Sequence, residues 1–539
     1  MPTLDWIGKQ AVVRHHEEVP FHLLREVPDL CVGDPGSGNL LVQGDNLLAL
    51  KALLPYYAGQ VKCIYIDPPY NTGNENWVYN DAVNSPEIVA WLGRVVGGES
   101  EDLSRHDKWL CMMYPRLMLL KGFLREDGLI FVSVDENEHR YLELLLEEIF
   151  GRQNHIETII WKKSYGGGQK SKHIVNLHEY VVCYARNIEQ IPPLELPPSG
   201  NVLRYYRYKD RKYETRGPYR LQPLATTSMD DRPNLRYPIP YQGQEIWPEK
   251  QWQWSEQRTL EALANDELVI RKSRGKWTVS YKQYLKDEHS EERKQKPYSI
   301  VEGVYTQQGT AEVRRLFGDG KAFSFPKPTT LVRHFVQMSA SGPDLILDSF
   351  AGSGTTGHSV LQLNHEDGGQ RRFILVEMDP QIARSITAER LRHAIEGYTW
   401  SDAPGNSRQE AGLGGGFRYC TLGEPLFDAA GEIRPEVSFA DLARHIFFVE
   451  TGEPLPQDAP CASPLLGAAR DTTVYLLYNG ILRDTTPEAG NVLTPAVLAA
   501  LPAYSGPKVV YGTGCLLSEA RLREEGITFK QIPYAITTR

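Results

Sequence analysis

Residues Val61-Lys-Cys-Ile-Tyr-Ile-Asp-Pro-Pro-Tyr-Asn-Thr-Gly73 decide how this chain is read. Apolar and β-prone residues run to Ile66 and stop at Asp67-Pro68-Pro69-Tyr70. Proline cannot donate to a strand ladder, and the residue before it avoids the α region. A buried strand therefore ends at Asp67, and a stiff loop follows. One carboxylate, one imide carbonyl and one aromatic ring are fixed at the carboxyl end of a strand. In open α/β sheets that edge is where ligands bind.

Strands and helices alternate on either side. Leu40–Gln43 reads as a strand, Gly44-Asp45-Asn46 as a turn, and Asn46 as the cap of a helix over 47–54. Residues 74–107 are polar and broken by glycines, a loop over the site. Apolar residues at helical spacing predict a helix over 109–125, then a strand at Leu129–Val134 and a helix over 139–150. Strands fit 156–161 and 180–184. After residue 300 the pattern predicts helices over 331–339, 355–363 and 381–395, with strands at 345–349 and 373–378. The fold class is α/β: a doubly wound, mostly parallel sheet with helices on both faces.

A chain of 539 residues implies roughly two to four domains. Ile191-Pro-Pro-Leu-Glu-Leu-Pro-Pro-Ser-Gly200 interrupts the alternation. The expected divisions are 1–184, an insert at 185–300, 301–400, a Gly/Ser/Pro linker at 401–416 and a separate small α/β domain at 417–539. Net charge is −9, yet residues 201–300 hold 20 Lys and Arg against 14 Asp and Glu, with 14 Tyr and Trp. A basic, aromatic insert in an acidic chain suits a groove for phosphates and bases, or a Tyr-rich β domain with a solvated rim. No apolar run approaches the roughly 20 residues of a membrane span. The seven cysteines are scattered, without disulfide or metal-ligand spacing. No signal peptide is visible at the start. The expected setting is cytoplasmic, with no metal and no membrane.

A second motif, Leu345-Ile-Leu-Asp-Ser-Phe-Ala-Gly-Ser-Gly-Thr-Thr-Gly357, reads as strand, glycine-rich turn and helix. Gly352-x-Gly354-x-x-Gly357 has dinucleotide-fingerprint spacing, and Glu377 follows 20 residues beyond Gly357. The turn would hold a ligand against backbone at a helix N-terminus, with an acid for ribose hydroxyls. That suits NAD and any other adenosine-bearing ligand.

Taken together, the two motifs resemble the DNA amino-methyltransferases that use S-adenosylmethionine. The Asp-Pro-Pro-Tyr tetrapeptide is similar to their catalytic motif and Phe350-x-Gly352-x-Gly354 to their cofactor motif. The order, catalytic motif, basic insert, Phe325-Pro-Lys-Pro-Thr329, cofactor motif, resembles the β class, with a target-recognition domain at 185–300. Asp67–Gly73, His178-Glu-Tyr180 and the tail from Gly414 to Pro454 resemble modification subunits of type III restriction-modification systems.

The resemblance implies a Rossmann-like methyltransferase sheet with catalytic residues Asp67, Pro68, Pro69 and Tyr70. It implies cofactor contacts from Asp45, Lys327, Pro328, Asp348, Phe350, Ala351, Gly352, Ser353, Gly354, Thr355 and Glu377, with Asp45 on the adenine amine and Lys327-Pro328 at the methionine end. Asp45 also reads as an ordinary helix cap, and His178 and Glu179 as structural. DNA contacts are expected from Asn71, Arg204, Arg207, Lys209, Arg211 and Lys212. Expected partners are double-stranded DNA, a second copy in a homodimer, and a restriction (helicase-nuclease) subunit.

The chemistry agrees with these residues. A purine's exocyclic amine is a poor nucleophile because its lone pair is delocalised into the ring. Acceptors on its N–H groups return that lone pair, and the Asp67 carboxylate and Pro68 carbonyl are suited to the task. Tyr70 can stack on a base extruded from the duplex. The expected reaction is methylation of adenine N6. Cytosine-N4 methylation is the near alternative, a DNA-recognition subunit of a nuclease-translocase complex is another, and a nicotinamide dehydrogenase is a distant third.

Overall fold

The computed structural model describes residues 4–72, 93, 104–166, 173–198, 200–227, 230–273, 275–403, 406–428, 430–456, 463–469, 472–479, 486, 490–504 and 506–532. The loop expected over 74–107 falls almost entirely outside the described residues. The chain divides into two compact units, residues 1–193 with 298–539, and residues 194–297.

The first unit is built on one large sheet. Its strands are β1 (His22–Glu26), β2 (Leu40–Gln43), β3 (Val61–Ile66), β4 (Leu124–Val134), β5 (His155–Lys162), β6 (His178–Ala185), β7 (Ile300–Val301), β8 (Leu345–Asp348), β9 (Arg372–Glu377) and β10 (Gly416–Pro425). Their spatial order is β1-β10-β2-β9-β8-β3-β4-β6-β5-β7. From β10 to β4 every neighbouring pair is parallel. β6 is antiparallel to both its neighbours.

Helices cover both faces, as the alternating strand residues require. The helices used below are α1 (Asn46–Tyr57), α2 (Arg105–Phe123), α3 (His139–Phe150), α4 (Thr306–Phe317), α5 (Thr329–Ser339), α6 (Thr355–Asp367), α7 (Ala388–Glu396) and α8 (Phe439–Thr451). Ile64 and Ile66 of β3 join the core made by Leu47, Leu50, Leu110 and Leu117 of α1 and α2. On the opposite face, Tyr65 of β3 and Phe131 of β4 stack on Phe335 of α5, with centroids 5.9 and 5.1 Å apart.

Three expectations are corrected. Asp45, not Asn46, caps α1: its Oδ1 accepts the N–H groups of Leu47 and Leu48 at 2.9 and 3.1 Å. Asn46 is already helical, and its amide donates to the Ser349 carbonyl instead. The stretch 401–416 is not a free linker. Gly397–Ala403 pairs antiparallel with Asn406–Ala411, so a hairpin's backbone hydrogen bonds take precedence over its Gly/Ser composition.

Residues 417–539 are not a separate domain either. β10 lies inside the main sheet between β1 and β2. Beyond it, strands Leu465–Ala469, Thr472–Leu476, Lys508–Gly512 and Ile527–Gln531 form a small sheet. Leu442, Ile446 and Phe447 of α8 bury against that sheet together with Phe21 and Leu23 from the start of the chain. A shared apolar core joins these segments, which sequence distance conceals.

The second unit is β-rich. Leu268–Ser273, Lys276–Tyr284 and Tyr219–Pro223 form a three-stranded antiparallel sheet. Helix Glu256–Ala264 is capped by Ser255. Leu224, Ile239, Trp252 and Val279 fill its core.

Candidate active site

The parallel pairing of β3 with β8 sets Ile64 opposite Leu347. The two strand tips, Asp67 and Ser349-Phe350, therefore emerge side by side. Two clefts open there, and Asp67, Phe350 and Gly352 line both. Asn46, Arg116 and Glu377 contribute to the first, Lys327, Ser353 and Thr355 to the second.

The glycine-rich turn holds its shape through its own acids. Asp348 accepts the Phe350 N–H at 2.9 Å and the Thr356 hydroxyl at 2.5 Å. Burial pushes its carboxyl up to about 7. Glu377 accepts the Gly352 N–H at 2.8 Å and the Asp379 N–H at 2.9 Å. The Ala351 N–H donates to the Val376 carbonyl and the Gly354 N–H to the Ala351 carbonyl. Gly352 has φ 51°, and a Cβ there would stand 3.1 Å from the Phe323 ring. Only glycine holds this turn at no steric cost.

Beneath the turn, Arg390 of α7 is fully buried. It donates to the Ser353 and Thr355 hydroxyls at 3.0 Å each and to Glu312 of α4 at 2.8 Å. Glu312 also accepts the Thr329 N–H and hydroxyl, at 3.1 and 2.8 Å. The Gly-rich turn and the Lys327-Pro328-Thr329 loop are thus tied to one ion pair. Pro328 occupies the N-cap position of α5 and lines neither cleft.

At the other tip, Pro69 offers its carbonyl to the Trp109 indole at 2.7 Å. Among the described residues no donor reaches the Pro68 carbonyl or Asp67 Oδ1. Asp67 Oδ2 lies 2.9 Å from Lys327 Nζ. Lys327 also donates to the Tyr70 hydroxyl at 2.7 Å and approaches Glu179 Oε2 at 3.5 Å. Tyr70 donates to that same oxygen at 3.1 Å, and Lys163 donates to Glu179 Oε1 at 3.0 Å.

Burial works against the charges of this cluster, and the cluster answers it unequally. Burial raises Asp67 above the usual carboxylate range, with Lys327 opposing. Burial would also raise Glu179, but Lys327 and Lys163 outweigh it and hold it below the ordinary value. Lys327 is lowered by burial and raised further by Asp67 and Glu179, so it stays an ammonium.

Several expected roles move. The Lys327 ammonium meets Asp67, Tyr70 and Glu179 of the catalytic cluster, while the residue also lines the second cleft beside Ser353 and Thr355. Asp45 is a helix cap whose second oxygen meets Arg116 at 3.3 Å, and it lines neither cleft. Its neighbours Asn46 and Arg116 do. Asn71 is buried with φ 56°, and its amide donates to the Arg105 carbonyl at 3.0 Å and to Glu138 at 2.5 Å. It braces the loop from within. Lys212 is neutralised by Glu267 at 2.7 Å. Arg204, Arg207, Lys209 and Arg211 are exposed and meet no carboxylate among the described residues. Arg204, Arg207 and Lys209 lie over the rings of Tyr205, Tyr208 and Tyr213.

Arg116 and Arg390 escaped the sequence reading, and Glu179, expected to be structural, joins the charge cluster at the catalytic loop. The signal for Glu179 is an acid inside an apolar strand, which must find a cation when buried. Among the described residues no His, Cys, Asp and Glu group could hold a metal. No helix among them is long and apolar enough to cross a membrane.

A parallel sheet carrying a glycine-rich turn beside a carboxylate-proline loop defines a ligand-binding cleft at a topological switch point. The chain belongs to the DNA methylase family, whose sequence pattern matches residues 61–389. It is 31% identical over 425 residues to the type III restriction-modification enzyme EcoPI Mod subunit of Escherichia phage P1, covering 72% of this chain and 65% of that protein. It is 30% identical over 403 residues to the StyLTI Mod subunit of Salmonella typhimurium, covering 72% and 60%. The chain thus spans less than two thirds of those two relatives' length. It is 29% identical over 393 residues to the type II methyltransferase M.KpnI of Klebsiella pneumoniae, covering 67% of this chain and 86% of that protein.

Proposed function

We propose that the chain methylates the exocyclic N6 of adenine in duplex DNA with S-adenosylmethionine, as the modification subunit of a restriction-modification system. One observation carries this reading. Asp67 Oδ1 and the Pro68 carbonyl are two acceptors, at one strand tip, that no protein donor reaches among the described residues. Two acceptors are what a conjugated amine needs to pyramidalise. Family membership and the relatives' names support the same reaction class.

The cofactor site fits. Glu377 lines the first cleft as the acid for ribose hydroxyls, the 350–354 backbone approaches without a Cβ at Gly352, and the buried Ser349 hydroxyl has no partner among the described residues. When bound, S-adenosylmethionine supplies a methyl on a sulfonium leaving group. The protein's own part is positioning. Asp67 and Pro68 orient the amine, Tyr70 stacks on the base, and Arg390 fixes the turn beneath the donor.

The test is incubation with labelled S-adenosylmethionine and duplex DNA, followed by mass spectrometry of the nucleosides. N6-methyladenine is expected. N4-methylcytosine would redirect the assignment to the cytosine enzymes, and no methylated base would end it.

The second unit is proposed to read DNA through Arg204, Arg207, Lys209 and Arg211. Replacing these four by Gln should flatten the slope of log affinity against log salt by about 3–4, at roughly 0.9 per phosphate contact. An unchanged slope would remove them from the interface. A homodimer and a helicase-nuclease partner belong to the same proposal. Sedimentation of the pure protein, and co-purification with a co-expressed nuclease subunit, check each in turn.

A further inference from the structure

Glu179 sits second in β6, 7% exposed, among apolar neighbours. A lone acid in such a strand carries a large desolvation penalty unless its charge is matched. Here both oxygens are engaged. One takes the Lys163 ammonium, and the other takes Tyr70's hydroxyl and faces Lys327. The Lys327 ammonium is held above the Tyr70 ring at 4.7 Å and near the Trp161 ring at 5.8 Å. Two carboxylates and two ammoniums close a neutral cluster.

The consequence for Asp67 is geometric. An ammonium with only one anion close by would swing to bridge both oxygens of that carboxylate. Glu179 and Tyr70 pull Lys327 to one side, so it meets Oδ2 alone and Oδ1, though buried, takes no donor among the described residues. The same contact fixes the Tyr70 hydroxyl and hence its ring.

We infer that Glu179 is a positioning residue for the transfer reaction: through Lys327 and Tyr70 it keeps one oxygen of Asp67 available to the substrate amine, with Lys163 setting how strongly it does so. This inference rests on the methyl-transfer reading above. Other charged or titratable groups facing the cluster are Asp348 and Tyr65, on which Asp67 acts, and Asp135, on which Glu179 acts.

The signs follow from the charges. In Glu179→Gln, Lys327 is left to Asp67 and the repulsion between the two carboxylates disappears. Asp67 then protonates at lower pH and becomes a poorer acceptor. In Lys163→Met, Glu179 loses its other cation and draws harder on Lys327, so Asp67 protonates at higher pH. Lys163 touches neither Asp67 nor Tyr70 by any hydrogen bond among the described residues.

The experiment has two readouts. Steady-state methyl transfer should show kcat lowered about tenfold in Glu179→Gln with KM for DNA and cofactor nearly unchanged, as expected when a positioned group is disturbed. The acid limb of the pH profile should move down in Glu179→Gln and up in Lys163→Met, by about one pH unit each. Carboxyl 13C resonances in aspartate-labelled protein, with Asp67 assigned by its Asn variant, should move the same way without any turnover. Acid limbs and resonances that stay put in both variants, or that move in the same direction, overturn the inference. If the resonances move as expected while the unaltered protein methylates no DNA, the cage stands and the methyl-transfer reading is what fails.

Discussion

Asp67→Ala is expected to lower methyl transfer by about a hundred- to a thousandfold, the usual cost of deleting one polar group aimed at the reacting centre. Asp67→Asn should be nearly as inactive. The Lys327 ammonium at 2.9 Å accepts only an oxygen as neighbour, so the Asn side chain must turn its carbonyl inward. Its NH2 would then face the substrate amine, donor against donor. Cofactor binding, read by calorimetry, should survive in both variants. The unaltered enzyme should lose activity as pH falls through the Asp67 pKa. Burial raises that value and Lys327 only partly offsets it, so the acid limb lies above the ordinary carboxylate range. An Asn variant with near-normal kcat would show that the carboxylate is not the acceptor.

Arg390→Met should cost about 3 kcal/mol of stability. Removing one member of a buried ion pair strands the other, and such losses run to about 3–5 kcal/mol. The lower end applies because Glu312 keeps 18% side-chain exposure. Arg390 also holds the Ser353 and Thr355 hydroxyls, so cofactor affinity should fall with stability. Denaturant unfolding and cofactor calorimetry measure the two. A midpoint shift worth under about 0.5 kcal/mol, the range of neutral surface changes, would mean the pair is not structural.

The two strand tips were legible because proline and glycine punctuate the chain for local reasons. Asp67-Pro68-Pro69 and Gly352-x-Gly354 each end a strand whatever lies around them. The apolar alternation likewise placed β3, β8 and β9 correctly. What stayed hidden depends on residues distant in sequence. Nothing local to Lys327, expected at the methionine end, points to Tyr70, 257 positions away. Asn71 reads as a polar loop residue because burial at Glu138 is a tertiary event. Asp45 and Asn46 compete for one cap, and backbone angles decide between them. β1 and β10 were missed since each pairs with a strand some 400 residues off, where no local pattern shows the partner.

The placement of β2 bears on how the chain is made. Its neighbours are β9 and β10, both synthesised more than 300 residues after it. At about 5–20 residues per second, Leu40, Leu41 and Val42 wait on the order of 15–70 s on the ribosome with neither partner present. An apolar strand with two open edges invites pairing with another chain. Nascent chains arrested before residue 372 should therefore be cut by protease near residues 40–43, and released full-length protein should not. Such cleavage would make the shielding of that early segment during translation a requirement of this strand order.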